Sequence, residues 1–328
     1  MHNTNVQVEP TEQQRPRRRA IGKYLRFGCH RFKAADSALR MPAMAERIER
    51  LFVKCRDEDR PAFIPYICAG DPNFARTIEI AFALEKAGAD LLELGVPFSD
   101  PLADGVVNQF AAQRALEAGA TVPGVLECVR EIRRRSEIPI VLYTYLNPIL
   151  CYGIAGFDRE AAVAGVDGLL ILDLPSEEDG NVYRLDRTAV SRSMPSGDKI
   201  AAEENLLRIR LIAPTTSPER ITAIARSGRG FIYYVSREGV TGIRNSIAQS
   251  LEEKIALIRK HTQLPIVVGF GISTPEQAAQ IARMADGVVV GSAIVDLIRK
   301  SKDGHDLADR VGKFVRPIAA AVHRSRET

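Results

Sequence analysis

From Met44 onward the chain alternates short runs rich in β-branched residues with longer helix-compatible stretches, and it does so eight times. The strand candidates are Phe63–Ile67, Leu91–Leu94, Ile140–Tyr143, Gly168–Leu172, Arg208–Ile212, Phe231–Val235, Ile266–Gly269 and Gly287–Val290. Between them lie stretches such as Thr77–Ala87, Val122–Arg135, Pro218–Arg226, Ile247–His261 and Pro275–Met284, which suit helices. Regular β/α alternation demands parallel strands joined by crossover helices, and eight units are the number that closes a barrel. The expected fold is therefore α/β, a (β/α)8 TIM barrel forming a single domain over residues 44–328. A basic, disordered N-terminal extension is expected over residues 1–43.

Local chemistry supports the helix boundaries. Ser217-Pro218-Glu219 and Thr274-Pro275-Glu276 each set a hydroxyl N-cap before a proline at the first helical position. Gly88 and Gly119 follow helical runs where a left-handed residue would end the helix. The least regular connection runs from Glu177 to Asn205 and reads as one helix interrupted by a surface loop at Pro195-Ser196-Gly197. Trp is absent and aromatics make up only 6%, so aliphatic side chains must fill the core, as suits a parallel sheet buried on both faces.

The net charge of +4 is unevenly spread. Residues 1–40 carry nine Lys/Arg against three acids, which leaves 36 basic and 38 acidic residues in the remainder. By composition the body is not a polyanion binder. The tail, with Arg15-Pro16-Arg17-Arg18-Arg19 at its centre, reads as a solvated extension, or as sequence ahead of a true start at Met41 or Met44. Nucleic-acid contact or organelle targeting are the rival readings of that run. The five cysteines Cys29, Cys55, Cys68, Cys128 and Cys151 are scattered with no Cys-x-x-Cys pair, so a reduced setting is expected, with neither a disulfide frame nor a metal site. No apolar run approaches the roughly 18 residues of a membrane span. The start lacks the basic-then-apolar order of a secretory signal, so a cytoplasmic location is expected.

In a barrel of this kind the site lies where the strands end. Glu93 interrupts the otherwise apolar strand Leu91-Leu92-Glu93-Leu94-Gly95. A carboxylate there points into the barrel, where desolvation raises its pKa and suits it to proton exchange near neutrality; position alone leaves open a paired core acid. The loop from Val96 to Gly105 follows, with Asp100 and Asp104 arching over the same mouth, or capping the next helix. Glycines gather after the last three strands, in Ser236–Gly242, Gly269-Phe270-Gly271 and Gly291-Ser292-Ala293. Missing side chains let backbone amides approach an anion, and a helix starting near Ser292 would aim its positive end there.

Taken together these residues resemble the tryptophan synthase α subunit family over about Met44 to Lys300. The most specific element is the unbroken string from Leu91 to Gly105. Further matches are Phe63–Ile67 with Ala69–Pro72, Tyr145–Pro148, Asp173-Leu174-Pro175, Tyr233–Gly242, Gly269–Ile272 and Gly291–Val295. The resemblance implies a carbon-carbon lyase that splits indole-3-glycerol phosphate into indole and glyceraldehyde 3-phosphate during tryptophan biosynthesis. It implies Glu93 as proton donor and acceptor and Asp104 as the acid that holds the indole N–H. Tyr66 and Tyr145 would shape the indole pocket, Tyr233 would steady Glu93, and Thr241 would belong to a lid. Gly242, Gly271, Gly291 and Ser292 would hold the phosphate, while Asp71 would lie near the mouth.

The same resemblance implies a β-subunit partner, which carries pyridoxal phosphate, in an αββα heterotetramer; this chain itself would need no cofactor. Ser99, Asp100 and Pro101 would form part of that contact. A partner-independent indole-releasing lyase and a catalytically weak activator of the β subunit are the alternatives. The chain departs from the family pattern after Gly105, where Pro, apolar residues and Gln usually follow and Val106-Val107-Asn108-Gln109 stand instead. Loss of that proline implies a looser loop around Asp104.

Overall fold

The computed structural model describes residues 46–182, 206–236, 245–269, 271–302 and 304–327. The basic extension, the irregular stretch at 183–205 and residues 237–244 lie outside the described residues. The first half runs α1 (Glu46–Asp57), β1 (Ala62–Cys68), α2 (Phe74–Lys86), β2 (Leu92–Gly95), α3 (Val106–Glu117), α4 (Val122–Arg133), β3 (Ile140–Thr144), α5 (Leu146–Tyr152), α6 (Ile154–Ala164) and β4 (Gly168–Ile171). The second half runs β5 (Leu207–Arg208), β6 (Arg210–Ile212), α7 (Pro218–Ser227), β7 (Ile232–Val235), α8 (Asn245–Arg259), β8 (Ile266–Gly269), α9 (Pro275–Ala282), β9 (Gly287–Val290), α10 (Ser292–Ser301) and α11 (Leu307–His323).

All strand pairs are parallel, in the order β5-β4-β3-β2-β1-β9-β8-β7-β6. The two outermost strands are separated in the chain only by Ile209, so the sheet returns upon itself as a TIM barrel. The fifth strand, expected as one run over Arg208–Ile212, is split. Leu207–Arg208 pairs with β4 and Arg210–Ile212 pairs with β7, while the Ile209 N–H still reaches the Leu169 carbonyl at 3.0 Å. Staggered strands in a closed barrel bond to their two neighbours at different heights, and this short strand has no residues to spare for overlap.

Alternation with period two sorts the strand side chains into two cores. Phe63 and Ile67 of β1, Leu92 and Leu94 of β2, and Val288 and Val290 of β9 pack outward against the helices. Ile64, Tyr66, Val141, Tyr233, Val267 and Val289 fill the interior. Helix α1 contributes Ile48, Leu51 and Phe52 to that inner cluster, with the Phe52 ring 5.6 Å from Phe231. It thereby plugs the amino-terminal end of the barrel.

Helix ends follow the sequence signals. Ser217 and Thr274 accept from the backbone of Arg220 and Gln277, and Thr274 with Gln277 completes a reciprocal capping box. Gly88 and Gly119 take φ of +108° and +85° just past α2 and α3, values that other residues reach only with strain.

A recurring device ties the strands at the plugged end. Asp90, Asp167 and Asp286 each precede a strand, and each accepts an N–H at the start of the neighbouring strand: Phe63 at 2.8 Å, Ile140 at 2.7 Å and Ile266 at 2.9 Å. The backbone N–H of each aspartate returns a bond to the same residue's carbonyl, closing a ring. Asp167 is fully buried and also binds Arg47 of α1 at 3.1 Å and Arg133 of α4 at 2.6 Å, so it fastens plug, strand and outer helix together.

Removing one partner from a buried ion pair strands the other charge. Asp167→Ala is therefore expected to lower the unfolding free energy by about 3–5 kcal/mol in urea titrations. Asp286→Ala, whose carboxylate is 24% exposed, is expected to cost about 1 kcal/mol; equal losses would contradict the role given to Asp167.

Candidate active site

The carboxyl ends of the strands open onto a cavity of about 890 Å³. Its walls include Tyr66, Glu93, Tyr143 and Tyr233 together with Gly269, Gly271, Gly291 and Ser292. Leu172, Leu211, Val235 and Val289 supply apolar surface between them. Period two explains why these side chains meet. Tyr66 and Glu93 are register partners on adjacent strands, and Glu93 is paired with Val141 on the other side, so all three face inward.

Glu93 is 2% exposed, and no described residue hydrogen-bonds its carboxyl. Burial, with a smaller contribution from the nearby negative Asp104, pushes its pKa up to about 8. Tyr233, expected to steady Glu93, lies in the same wall but makes no described hydrogen bond to it. Its hydroxyl occupies the space that a side chain on Gly269 would fill, just as the Tyr66 hydroxyl occupies the space beside Gly95.

Asp104 sits in a different environment. Its Oδ1 accepts from the Tyr143 hydroxyl at 3.0 Å and its Oδ2 from the Tyr145 hydroxyl at 2.8 Å. Burial raises its pKa, and the tyrosine donors and Asn108 work against that rise. The loop carrying it is tied further by the Gln109 side chain, which donates to the carbonyls of Asp104 at 3.0 Å and Pro101 at 3.4 Å. Tyr145 proves to be a brace for this loop. Its hydroxyl accepts from the Ala103 N–H at 3.0 Å and its ring packs 5.3 Å from Phe98, whereas Tyr143 is the tyrosine of β3 that lines the cavity.

In the cavity wall helix α10 begins at Ser292 after an N-cap glycine, Gly291, with no side chain to cap it. Ile294 and Val295 are the first amides bonded back to Gly291, so those of Ser292 and Ala293 precede the helical ladder. Gly271 and Ser236 line the same cavity. A side chain on Gly291 would meet the Tyr66 ring at 3.2 Å, so this glycine serves close packing as well as backbone access. An anion placed here would meet free amides and the positive end of α10.

Of the other expected residues, Thr241 and Gly242 lie outside the described residues. Ser99 and Asp100 are exposed on the loop, bonded to each other at 2.5 Å, with Pro101 beside them and away from the cavity wall. Asp71 is 2% exposed but does not line the cavity; Arg114 of α3 grips it through bonds of 3.0 and 2.7 Å. It braces the loop after β1 against α3. Sequence reasoning missed Tyr143, Asn108 and the apolar lining. Tyr143 and Val235 could have been found by asking which residues near the strand ends share the inward parity of Glu93. Among the described residues no group of three or more His, Cys, Asp or Glu side chains is arranged to hold a metal ion.

The family model described as tryptophan synthase alpha chain matches residues 52–323. A tryptophan synthase alpha chain of Opitutus terrae is 51% identical over 255 residues, which are 78% of this chain and 90% of the relative. That of Citrifermentans bemidjiense is 45% identical over 277 residues, 84% of this chain and 97% of the relative. Among solved structures, tryptophan synthase subunit alpha from Legionella pneumophila superposes with a TM-score of 0.73 at 37% identity, covering 84% of this chain and 98% of that one. Tryptophan synthase from Mycobacterium tuberculosis superposes with a TM-score of 0.71 at 32% identity, over 84% and 98% of the two chains. With the family pattern running from the plugging helix α1 to the end of α11, the chain belongs to the tryptophan synthase alpha chain family.

Proposed function

We propose that Glu93 carries the proton transfers in the cleavage of indole-3-glycerol phosphate to indole and glyceraldehyde 3-phosphate, the lyase reaction of this family. The observation that supports it most directly is a carboxyl of raised pKa, 2% exposed and without a hydrogen-bond partner among the described residues, in the wall of an aromatic cavity. Such a group is protonated at neutral pH and can give its proton to C3 of the indole ring. The ring then carries positive charge through N1, which the Asp104 carboxylate offsets.

Glu93, now ionised, takes the proton of the hydroxyl on the carbon attached to C3. The carbon-carbon bond breaks, its electron pair restores the indole ring, and the aldehyde forms on the departing chain. Glu93 ends protonated, as it began. The phosphate would rest against Gly242, Gly271, Gly291 and Ser292, and Thr241 would belong to a lid over the substrate. Tyr66, Tyr143 and Tyr233 would enclose the indole ring, and Tyr145 would act through Asp104.

Within the family role in tryptophan biosynthesis, a β subunit is the partner. We assign Ser99, Asp100 and Pro101 to that contact in an αββα heterotetramer, with pyridoxal phosphate confined to the partner and the assembly in the cytoplasm. Among the described residues no helix is long and apolar enough to cross a membrane. Adding a β subunit to the purified chain is expected to raise the rate of indole release strongly; an unchanged rate would favour a partner-independent lyase.

Glu93→Gln is expected to reduce indole release by about 10²–10⁴-fold, the usual worth of a positioned acid-base group, while leaving the thermal unfolding midpoint close to that of the parent. Because the protonated form starts the reaction, kcat/KM should fall as pH rises through about 8. A profile flat to pH 10 would remove Glu93 from the role of initial acid.

A further inference from the structure

Strand β3 ends in Tyr143-Thr144, and Tyr145 follows in extended backbone at φ −109° and ψ 163°. The alternation of the strand therefore runs one residue past its end, and Tyr143 and Tyr145 stand on the same face, roughly 6.5 Å apart along the chain. Asp104 meets both. Tyr143 donates to Oδ1 at 3.0 Å and Tyr145 donates to Oδ2 at 2.8 Å, so each oxygen of the carboxylate is held by its own phenol. Of the two phenols it is Tyr143 that lines the cavity, as do Ala103 and Gly105 on either side of Asp104. Oδ1 is thus the oxygen bonded to a residue of the cavity wall.

Lining the cavity does not by itself call for a hydroxyl. The preceding inward residue of β3, Val141, is aliphatic. A shielded tyrosine hydroxyl needs a partner, and among the described residues the partner of this one is Asp104. The ring is set by an edge-on contact with Tyr66, with centroids 5.1 Å apart and planes at 69°. Gly95, the register partner of Tyr143 on β2, leaves the space in which the Tyr66 hydroxyl lies. A phenol has one proton to give. Tyr143 gives it to the carboxylate and thereby restricts rotation of Asp104 while favouring its charged form.

From this geometry we propose that Tyr143 is a positioning residue, whose hydroxyl fixes the Asp104 carboxylate against the ring nitrogen of the substrate, a role separate from enclosing the ring. The proposal rests on the reading of Asp104 as the acid that meets the indole nitrogen. The titratable groups around that carboxylate are Tyr66 and Cys68 from β1, Glu93 from β2, Tyr143 from β3, Tyr145 just before α5 and Tyr233 from β7. Burial pushes the four tyrosines and Cys68 upward, so they stay uncharged at neutral pH and Tyr143 remains a donor. Glu93 and Asp104 are the groups left to change charge near neutrality and below.

The test is the pH profile of indole release by the full chain and by Tyr143→Phe, which keeps the ring and its contact with Tyr66 and removes the hydroxyl alone. The variant is expected to lower kcat/KM roughly tenfold, the effect of losing one hydrogen bond to a charged group. Its acid limb should move upward by roughly one pH unit, since Asp104 ionises less readily without that donor. The alkaline limb, set by Glu93, should stay in place.

A tyrosine that serves only as wall would lose its hydroxyl with no change in kcat/KM or in the acid limb, and that result overturns the proposal. A packing lesion would scale the rate equally at every pH, which overturns it as well. The limb is read from ratios within one preparation, so it decides the matter even where part of the variant protein is unfolded. Asp104→Asn run in parallel separates the two ideas. Full activity there would remove the role of Asp104 and this proposal with it, whereas collapse there with an unmoved acid limb in Tyr143→Phe would remove the role of Tyr143 alone.

Discussion

The site depends on keeping water away from one glutamate. A carboxylate in solvent is a poor donor at neutral pH, and the shift of Glu93 to about 8 comes chiefly from its burial in the barrel. That burial is a property of the whole architecture. The inner faces of the strands must be apolar or aromatic around it, and the opposite end of the barrel must be shut. Helix α1 does the shutting with Ile48, Leu51 and Phe52, and Asp167 holds it there through Arg47. The groups that maintain the plug are thus far from the cavity, at the end where stability rather than chemistry is concentrated.

Two acids of similar intrinsic strength are placed in contrasting surroundings. Glu93 has no hydrogen-bond partner among the described residues and is pushed by burial toward its neutral form, whereas the Asp104 carboxylate accepts from the hydroxyls of Tyr143 and Tyr145. Burial raises both, but the donors counteract it at Asp104. The contrast is the one that the proposed cleavage through a cationic ring would use, with one acid giving a proton beside another whose donors favour its charge. The glycines take part in this arrangement. Gly95 and Gly269 leave room for the hydroxyls of Tyr66 and Tyr233, so the aromatic wall depends on missing side chains in neighbouring strands.

The loop bearing Asp104 lacks the proline that usually follows it, and the sequence therefore implied a looser segment. In the structure several side chains tie it: Tyr145 to Ala103 and Asp104, Tyr143 to Asp104, and Gln109 to two of its carbonyls. Restriction by a ring has a counterpart here in restriction by hydrogen bonds, one of whose donors, Gln109, comes from α3 itself.

Much of this was legible in the sequence, because the repeat of short β-branched runs and helical stretches is a local pattern that follows directly from period and propensity. The strands at Ile266–Gly269 and Gly287–Val290 appear with the bounds read from sequence, and Ser217, Thr274, Gly88 and Gly119 end or begin helices as their side chains dictate. An acid inside an apolar strand marked Glu93. What sequence could not decide was contact between distant segments. The split of the fifth strand at Ile209, the bracing of the Ala103–Asp104 loop by Tyr145, the pairing of Asp71 with Arg114 and the meeting of Tyr143 and Tyr145 at Asp104 all depend on stagger around a closed barrel. Stagger sets which residues of neighbouring strands stand at the same height, and only the closed sheet specifies it.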